Sequence, residues 1–375
     1  MYTASEENQK MFLDRYQEEK IKIDYWWMDA GWYFCDPVGW PKTGTWEVDT
    51  KRFPNGLRAI SDYAHQQGVK TIVWFEPERV HPDTWLPENH PEWILGGKAG
   101  GLLNQGNPEA LKWLIEHINQ LITAQGIDVY REDFNMDPLG HWRGNDTEDR
   151  QGITENHHVV GHLAYFDSII KQHPGIWIDS CASGGRRLDL ETMRRAVPLW
   201  RTDYRLDTTG TQSHSYGLSF WVPLSGTGTG VFTAYDFRSN MVPFLNCIWD
   251  MRDKNADYDL MRRMAREFRQ VAHYYWGDYY PLTPYSTASN AWMAWQFDKP
   301  EIGEGMVQVF RRQDSFYLGC QFKLSGLDPA ARYEVKNLDT PGKAVMTGEE
   351  LMQKGLKVLI ENQPGAVIIV YKKVS

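Results

Sequence analysis

Two aspartates follow apolar runs of the kind that form buried strands. Asp133 comes directly after residues 127–132 (IDVYRE), and Asp203 directly after residues 197–202 (VPLWRT). In a chain that alternates strands and helices, side chains at the carboxyl ends of strands lie where barrel enzymes carry out their chemistry. Two carboxylates so placed can share glycosidic cleavage, one as the nucleophile and the other as the acid and then the base. We therefore expect a paired-carboxylate glycosidase, with 17 tryptophans available to stack on sugar rings.

Each aspartate has neighbours that suit one of the two roles. Arg131 stands two residues before Asp133, so on a strand both side chains point to the same face. A positive charge there favours the ionised carboxylate that a nucleophile needs. The acid must instead hold its proton, which less polar surroundings favour. Trp200 and Tyr204, close to Asp203, are predicted to provide such surroundings.

The elements that position these residues alternate between short apolar runs and helical patterns. The predicted strands are residues 21–28, 69–75, 127–132, 175–179, 197–202, 217–223 and 229–234. The first predicted helix is capped by Ser5, and the later ones cover residues 56–67, 108–125, 158–172, 187–195 and 257–274. Such alternation indicates a parallel sheet covered by helices. Seven strands predict a (β/α)8 TIM-type barrel that is incomplete at its N-terminus, where the first strand is missing.

After residue 285 the pattern changes to strands without helices between them. Residues 291–297, 305–310, 315–322, 331–335 and 364–372 alternate in polarity and are separated by turn-forming residues. This pattern predicts an antiparallel β-sandwich. The expected domains are a catalytic barrel over residues 1–285 and a C-terminal β-sandwich domain over residues 286–375.

The overall composition argues against several kinds of partner. The chain of 375 residues has a formal net charge of −9, which disfavours nucleic acid and anionic membranes as partners. No stretch approaches the ~20 consecutive apolar residues of a membrane span. The first ten residues lack the basic and apolar regions of a signal peptide, so we predict a cytoplasmic location. Nothing in the sequence supports a particular oligomeric state.

The sequence predicts neither a metal nor a cofactor. The four cysteines lie far apart and have no metal-type or redox spacing. His158 and His162 stand one helical turn apart, but the segment lacks the glutamate of the zinc-protease motif, so a solvated helix face is expected. Residues 226–230 (GTGTG) lack the lysine of a phosphate-binding loop and are interpreted as a turn.

Five short blocks follow one another in a fixed order along the chain. They are residues 26–33 (WWMDAGWY), 74–78 (WFEPE), 131–135 (REDFN), 180–185 (SCASGG) and 200–203 (WRTD). Together they resemble the signature blocks of glycoside hydrolase family 36, which contains retaining α-galactosidases and α-N-acetylgalactosaminidases. The resemblance extends from about residue 5 to residue 285, and members of that family also carry a C-terminal β domain.

The resemblance implies a role for each block. Asp133 occupies the place of the family's nucleophile, and Asp203 that of its acid/base. The tryptophan of the second block lines the sugar pocket, and the loop of the fourth contacts the sugar on its C2 side. Residues 137–152 form a long polar loop, which we expect to cover the mouth of the pocket. The predicted substrate-binding residues are Asp29, Trp74, Arg131, Asn135, Trp142, Cys181, Gly184, Gly185 and Arg201.

Two positions differ from the family's pattern. Ala30 stands where the family has a second aspartate, and Arg131 stands where it has a lysine. Arginine is a larger, planar donor that does not replace lysine equivalently. Both differences fall in the sugar pocket, so they bear on which sugar is bound.

The expected activity is hydrolysis of oligosaccharides or glycosides at a terminal α-linked galactose-type residue. Two alternatives stay open at this point. One is an α-N-acetylgalactosaminidase of the same family. The other is a catalytically silent sugar-binding fragment, because the N-terminal β-sandwich domain of the family and the first barrel strand are not found in the chain.

Overall fold

The structure of the chain is a computed structural model that describes residues 3–35, 42–204, 207–230 and 233–374. The chain divides into two compact units, Met1–Trp200 and Arg201–Ser375. None of the helices in the described ranges has the length and apolar character needed to cross a membrane.

The first unit is built on a parallel sheet with helices between its strands. Its strands are β1 (Tyr25–Met28), β2 (Lys70–Phe75), β3 (Arg79–Val80), β4 (Ile94–Leu95), β5 (Gly101–Leu103), β6 (Val129–Glu132) and β7 (Trp177–Ser180). Its α-helices are α1 (Glu6–Glu18), α2 (Arg58–Gln66), α3 (Trp85–Asn89), α4 (Pro108–Gln125), α5 (Leu139–Arg143), α6 (Ile153–Gln172) and α7 (Leu190–Met193). Short 3-10 turns lie at Pro91–Trp93, Gly97–Ala99 and Glu148–Arg150. The parallel sheet has the order β1-β2-β6-β7, while β3, β4 and β5 form a small antiparallel sheet.

Local signals account for the helix boundaries in this unit. Ser5 caps α1, because its hydroxyl accepts a hydrogen bond from the N–H of Asn8 and the Asn8 side chain accepts one from the N–H of Ser5. Asn107 caps α4, because its side-chain oxygen accepts hydrogen bonds from the N–H groups of Glu109 and Ala110, and the helix ends at Gly126, whose φ of +66° is easily adopted only by glycine. The predicted span of α4 is confirmed.

The register of the parallel sheet aligns three residues of the predicted site. Trp74 on β2 is paired with Arg131 on β6, and Arg131 is paired with Asp179 on β7. Paired residues on adjacent strands point to the same face of a sheet. The three side chains therefore lie side by side on one face, just before the carboxyl ends of the strands.

The second unit begins with helices and a parallel strand pair. It contains α8 (Thr208–Leu218), β8 (Gly226–Thr229), α9 (Ala234–Asn240), β9 (Phe244–Cys247) and α10 (Tyr258–Val271), followed by a 3-10 turn at Ala272–Trp276. Strand β8 pairs with β9 in parallel. In the ranges that the structure describes, the parallel strands thus form a four-stranded and a two-stranded sheet and do not close into a barrel.

The rest of the second unit is antiparallel. It contains β10 (Asp278–Pro281), β11 (Trp292–Lys299), β12 (Glu304–Arg311), β13 (Gly319–Phe322), β14 (Arg332–Asn337), β15 (Ala344–Thr347), β16 (Leu356–Leu359) and β17 (Gly365–Lys373), with a π-helical turn at Glu350–Lys354. Six strands form one sheet in the order β10-β11-β12-β17-β14-β15, and β13 pairs with β16 in a second sheet. One apolar core joins the two sheets, with Val307 and Val309 from the first and Phe322 and Val358 from the second. The predicted β-sandwich is confirmed, while the predicted boundary at residue 285 stays a prediction.

Several predicted elements of the barrel region are wrong. The predicted strand at residues 217–223 is the end of α8 and a turn, because Asp207 caps a helix that continues to Leu218. The GTGTG segment, for which the sequence predicts a turn, contains strand β8. The predicted strand at residues 197–202 is reduced to a single parallel bridge between Val197 and Asp179. Strand β9 was missed.

Candidate active site

Asp133 lies at the carboxyl end of β6, where three donors hold its carboxylate. Its own N–H donates to the carbonyl of Phe75, which extends the β2–β6 pairing by one residue. Oδ2 accepts a hydrogen bond from the indole Nε1 of Trp74 at 3.1 Å. Oδ1 accepts from the N–H groups of Phe134, at 2.8 Å, and of Ser183, at 3.1 Å. The side chain is buried, with 9% of its surface exposed, so these donors replace the water that it loses.

The electrostatic surroundings favour the ionised form of Asp133. Burial by itself raises the pKa of this carboxyl group. The positive charge of Arg131 and the hydrogen bonds from the side chains of Asn135 and Trp74 and from the Phe134 N–H outweigh burial, so the pKa lies below its ordinary value. Asp133 is therefore a carboxylate at neutral pH, as a nucleophile must be.

Arg131 is held from two sides. Its Nη1 lies 2.5 Å from Oδ2 of Asp179, and the other oxygen of Asp179 accepts the N–H of Leu199 at 2.7 Å. The guanidinium also stacks over the ring of Trp27, with 4.4 Å between its central carbon and the ring centroid. Burial disfavours the charged guanidinium, but the Asp179 carboxylate raises the pKa of Arg131 above its usual range, so the charge is kept. The ion pair fixes a cation beside the candidate nucleophile.

One buried donor near Asp133, Nε of Arg131, has no hydrogen-bond partner among the described residues. Unsatisfied buried donors are uncommon in folded proteins. A sugar hydroxyl group would satisfy this one. The side chain of Asn135 lies beside the Asp133 carboxylate and lowers its pKa. The roles of Arg131 and Asn135 in substrate binding stay predictions.

The loop at residues 181–187, here called the glycine loop, follows β7 and borders Asp133. Ser183 adopts the left-handed region with a φ of +47°, and its hydroxyl donates to Oδ1 of Asn135 at 3.0 Å. The N–H of Gly184 donates to Sγ of Cys181, and a parallel bridge joins Ala182 to Gly185. Burial raises the pKa of Cys181 to about 12, so its thiol is neutral and serves as part of the wall.

A buried charged cluster lies on the other face of β6. Glu78 accepts a hydrogen bond from Nε2 of His158 at 2.6 Å and forms a two-point ion pair with Arg187 at 2.5 and 2.8 Å. His162 lies 3.5 Å from Glu132 in the same cluster. The prediction of a solvated helix face for the two histidines is therefore wrong, since both are buried against these glutamates.

The same cluster offers ligand atoms of the kind that bind metal ions. One atom each from Glu78, Glu132 and His162 lie within 4.8 Å of one another. A cationic group already lies there, because Nη1 of Arg187 is 2.5 Å from Glu78 and 3.5 Å from Glu132. The guanidinium thus supplies the positive charge that these carboxyl groups require.

The remaining predicted residues of the first unit lie in contrasting surroundings. Asp29 follows β1, is exposed and accepts the N–H of Ala30 at 2.7 Å. Trp74 is buried, and the face of its indole stacks on Tyr33. Its contact with Asp133 is made by Nε1, at the edge of the ring. Trp142, on α5 within the long polar loop, contacts His158 and the small apolar cluster around Phe134.

Two predicted residues lie at the start of the second unit. Asp203 is exposed to solvent. Arg201 is buried, and its Nη2 donates to the hydroxyl of Ser215 at 2.7 Å. Burial lowers the pKa of Arg201 to about 10. Their predicted roles as acid/base and substrate ligand stay predictions.

Sequence reasoning missed two contributors to the surroundings of Asp133, the N–H of Ser183 and the side chain of Arg187. Ser183 contributes a backbone group, which carries no residue-type signal. The arginines that follow the paired glycines were the available hint, since a charged residue beside a buried loop needs a partner.

Two family models match this chain. A model of the family Melibiase matches residues 4–243, and one of the glycosyl hydrolase family 36 C-terminal domain matches residues 292–370. Among curated relatives, alpha-galactosidase Mel36A of Lactobacillus acidophilus is 26% identical over 384 residues, which cover 96% of this chain and 51% of the relative. Alpha-galactosidase 1 of Pediococcus pentosaceus is 26% identical over 365 residues, which cover 90% of this chain and 48% of the relative.

Solved structures match the fold of this chain over its whole length. The alpha-galactosidase from Lactobacillus brevis matches with a TM-score of 0.86 at 22% identity, covering 100% of this chain and 53% of that one. AgaA from Geobacillus stearothermophilus, solved in complex with stachyose, matches with a TM-score of 0.86 at 21% identity, covering 100% of this chain and 54% of that one. The predicted fold class, an incomplete TIM-type barrel with a C-terminal β domain, is confirmed. This chain spans about half the length of the relatives it matches.

Proposed function

The chain belongs to the Melibiase family, and from this we propose that it hydrolyses terminal α-linked galactose-type residues with retention of configuration. The observation that carries the proposal is the state of Asp133. A buried carboxylate beside Arg131, with hydrogen bonds from Trp74, Phe134 and Ser183, is ionised and fixed in direction. Such a group suits nucleophilic attack on an anomeric carbon.

In the proposed reaction, two aspartates divide the work in two steps. Asp133 attacks the anomeric carbon while Asp203 donates a proton to the departing oxygen, which gives a covalent glycosyl-enzyme. Asp203 then takes a proton from water, and the resulting hydroxide attacks the same carbon and releases Asp133. Two inversions at one carbon restore its original configuration. The reaction is predicted to need neither metal nor cofactor.

We propose oligosaccharides or simpler glycosides as the substrates. AgaA of Geobacillus stearothermophilus has been solved in complexes with stachyose and with raffinose, which supports oligosaccharide binding in this family. In this chain, Nε of Arg131, which has no hydrogen-bond partner among the described residues, and the side chain of Asn135 are the proposed partners of the sugar hydroxyls. The cytoplasmic location, the absence of a nucleic-acid or membrane partner and the domain boundary at residue 285 remain predictions.

The test is hydrolysis of 4-nitrophenyl α-galactoside and 4-nitrophenyl α-N-acetylgalactosaminide by the purified chain. Asp133→Asn and Asp203→Asn are expected to lower kcat at least ~100-fold on the preferred substrate, because each removes a proton-transfer or bond-forming group. Asp62→Asn, at an exposed site on α2, is the matched control and should keep full activity. Proton NMR of the first product formed should show the α-anomer.

Three results would contradict the proposal. The first is full activity of Asp133→Asn, and the second is a β-anomer as the first product. The third is a folded chain that binds galactose and turns over neither substrate, which would support the catalytically silent fragment instead.

A further inference from the structure

The N–H of Ser183 is a donor to Asp133 that comes from the glycine loop, whereas Trp74 lies on β2 and Phe134 follows β6. It reaches Oδ1 at 3.1 Å from the glycine loop. Its direction depends on the backbone of Ser183, whose φ of +47° is uncommon for a residue with a Cβ atom. A conformation of this kind persists only where the surrounding structure enforces it. The contacts that enforce it are therefore part of the site.

Arg187 anchors the end of the glycine loop. Its two terminal nitrogens bind the two oxygens of Glu78 at 2.5 and 2.8 Å, which is a two-point contact that fixes the plane of the guanidinium. The same guanidinium lies over the ring of Phe134, with 4.4 Å to the centroid. Phe134 is the residue that directly follows Asp133. Glu78 thus holds an arginine that packs beside the candidate nucleophile.

Arg186 and Ser183 tie the rest of the loop to the same segment. Arg186 donates to the carbonyl of Phe134 at 2.6 Å and to that of Ala182 at 2.9 Å. The hydroxyl of Ser183 donates to Asn135. These contacts leave the loop attached to residues 134–135 on one side and to Glu78, through Arg187, on the other.

Glu78 is well suited to serve as the fixed end of this arrangement. It is fully buried in the turn between β2 and β3, and His158 donates to it at 2.6 Å. Burial raises the pKa of its carboxyl group, but the charge of Arg187 lowers it well below the usual value, so Glu78 stays ionised. A buried carboxylate with two charged or polar donors has little freedom to move.

We propose that Glu78 is a positioning residue for Asp133, acting through Arg187 and the glycine loop to direct the Ser183 N–H at the Asp133 carboxylate. The proposal rests on the function proposed above, in which Asp133 is the nucleophile. Glu78 itself does not touch Asp133 in this arrangement.

The test compares Glu78→Gln with Glu132→Gln, its matched control. Both residues are buried in the same charged cluster, but Glu132 lies 3.5 Å from Arg187 and does not form the two-point contact. Glu78→Gln is expected to lower kcat/KM about tenfold, because the Asp133 carboxylate loses a directed donor. Glu132→Gln is expected to stay within about twofold of the unaltered chain.

The sign of the change in the Asp133 pKa separates positioning from simple electrostatics. Removing the negative charge of Glu78 without moving the loop would lower the pKa of Asp133, because a like charge is lost. Losing the Ser183 hydrogen bond instead raises it. We expect a rise, measured by 13C NMR titration of aspartate carboxyl carbons, with the Asp133 signal assigned through Asp133→Asn. The acidic limb of the pH profile of kcat/KM should move to higher pH by the same amount.

The NMR measurement does not depend on turnover. If the unaltered chain proves inactive, the proposed function fails, while the pKa of Asp133 in Glu78→Gln still decides this inference. An unchanged or lowered pKa of Asp133 in folded Glu78→Gln would overturn it. Should that variant fail to fold, Arg187→Lys keeps the charge and loses the two-point contact, and it must show the same rise.

Discussion

The indole Nε1 of Trp74 donates a hydrogen bond to Oδ2 of Asp133 across 3.1 Å, so a buried aromatic residue is linked directly to the candidate nucleophile. The two residues are 59 positions apart in the chain. The link exists because β2 and β6 are neighbours in the parallel sheet and Trp74 is in register with Arg131. The tryptophan thus acts on the carboxylate through its N–H, in addition to any contact that its ring makes with a sugar.

Replacing Trp74 by Phe should shift the pH dependence of the reaction. The pKa of Asp133 lies below its ordinary value, and Trp74 is one of the groups that lower it. Loss of the N–H therefore raises this pKa, and the acidic limb of kcat/KM against pH moves to higher pH. Trp26→Phe, which removes an indole N–H bound to Gln9, is the control and should leave the profile in place. A profile of Trp74→Phe that coincides with that of the unaltered chain would refute this expectation.

Arg131→Met should destabilise the fold, because it leaves the buried carboxylate of Asp179 without its partner. Removal of one member of a buried ion pair costs about 3–5 kcal/mol in the free energy of unfolding. The double variant Arg131→Met with Asp179→Leu should recover most of that loss, since no isolated charge remains. Urea denaturation provides the comparison. The exposed pair of Arg58 and Asp62 is the control, where Arg58→Met should cost at most about 1 kcal/mol.

Glu132→Gln should stabilise the chain at neutral pH and have little effect in acid. Burial and the neighbouring charge of Glu78 raise the pKa of Glu132 well above 4.5. A carboxyl group with a raised pKa favours folding below its unfolded-state pKa, and this contribution is lost as the pH rises toward the folded-state value. The side-chain amide of glutamine does not ionise, so the Glu132→Gln variant does not lose this stability as the pH rises. The free energy of unfolding of Glu132→Gln and of the unaltered chain should therefore converge below about pH 4.5 and separate above it. Equal stability at pH 7 would contradict the raised pKa.

Replacing either of two helical glycines by alanine should change the stability of the fold, and the two changes should have opposite signs. In an open helical position, Gly→Ala stabilises a helix by up to about 1 kcal/mol. Gly217 on α8 has no atom within 4 Å of the place a Cβ would take, so Gly217→Ala should follow that rule. At Gly161 on α6, a Cβ would lie 2.0 Å from the carbonyl oxygen of Gln105, so Gly161→Ala should destabilise the fold by about 1–3 kcal/mol. Thermal melting of each variant gives the sign.

Helices with local end signals were predictable from the sequence, whereas weak strands were not. The span of α4 follows from Asn107, Pro108 and Gly126, which act within one helical turn of its ends. Strand β8 has the sequence GTGT, and glycine is unfavourable within strands, so only its pairing with β9 defines it. That pairing joins residues about 18 positions apart and leaves no local pattern.

The candidate site likewise contains features that were predictable from the sequence and features that were not. Asp133 and Arg131 could be predicted because a strand places them on one face within a single block of sequence. The contact of Glu78 with Arg187 spans 109 positions, and the donor that it directs is a backbone N–H. Neither feature depends on a spacing that a reader of the sequence can recognise. Only the fold brings these groups together.

The position of Arg187 between Glu78 and Glu132 has a consequence for how this region responds to its medium. A bound metal ion exchanges with the surrounding solution, and its occupancy falls when a chelator competes for it. The guanidinium is joined covalently to the chain and keeps its charge at any pH the fold tolerates. At this cluster, the counter-charge of Glu78 is therefore as permanent as the polypeptide itself.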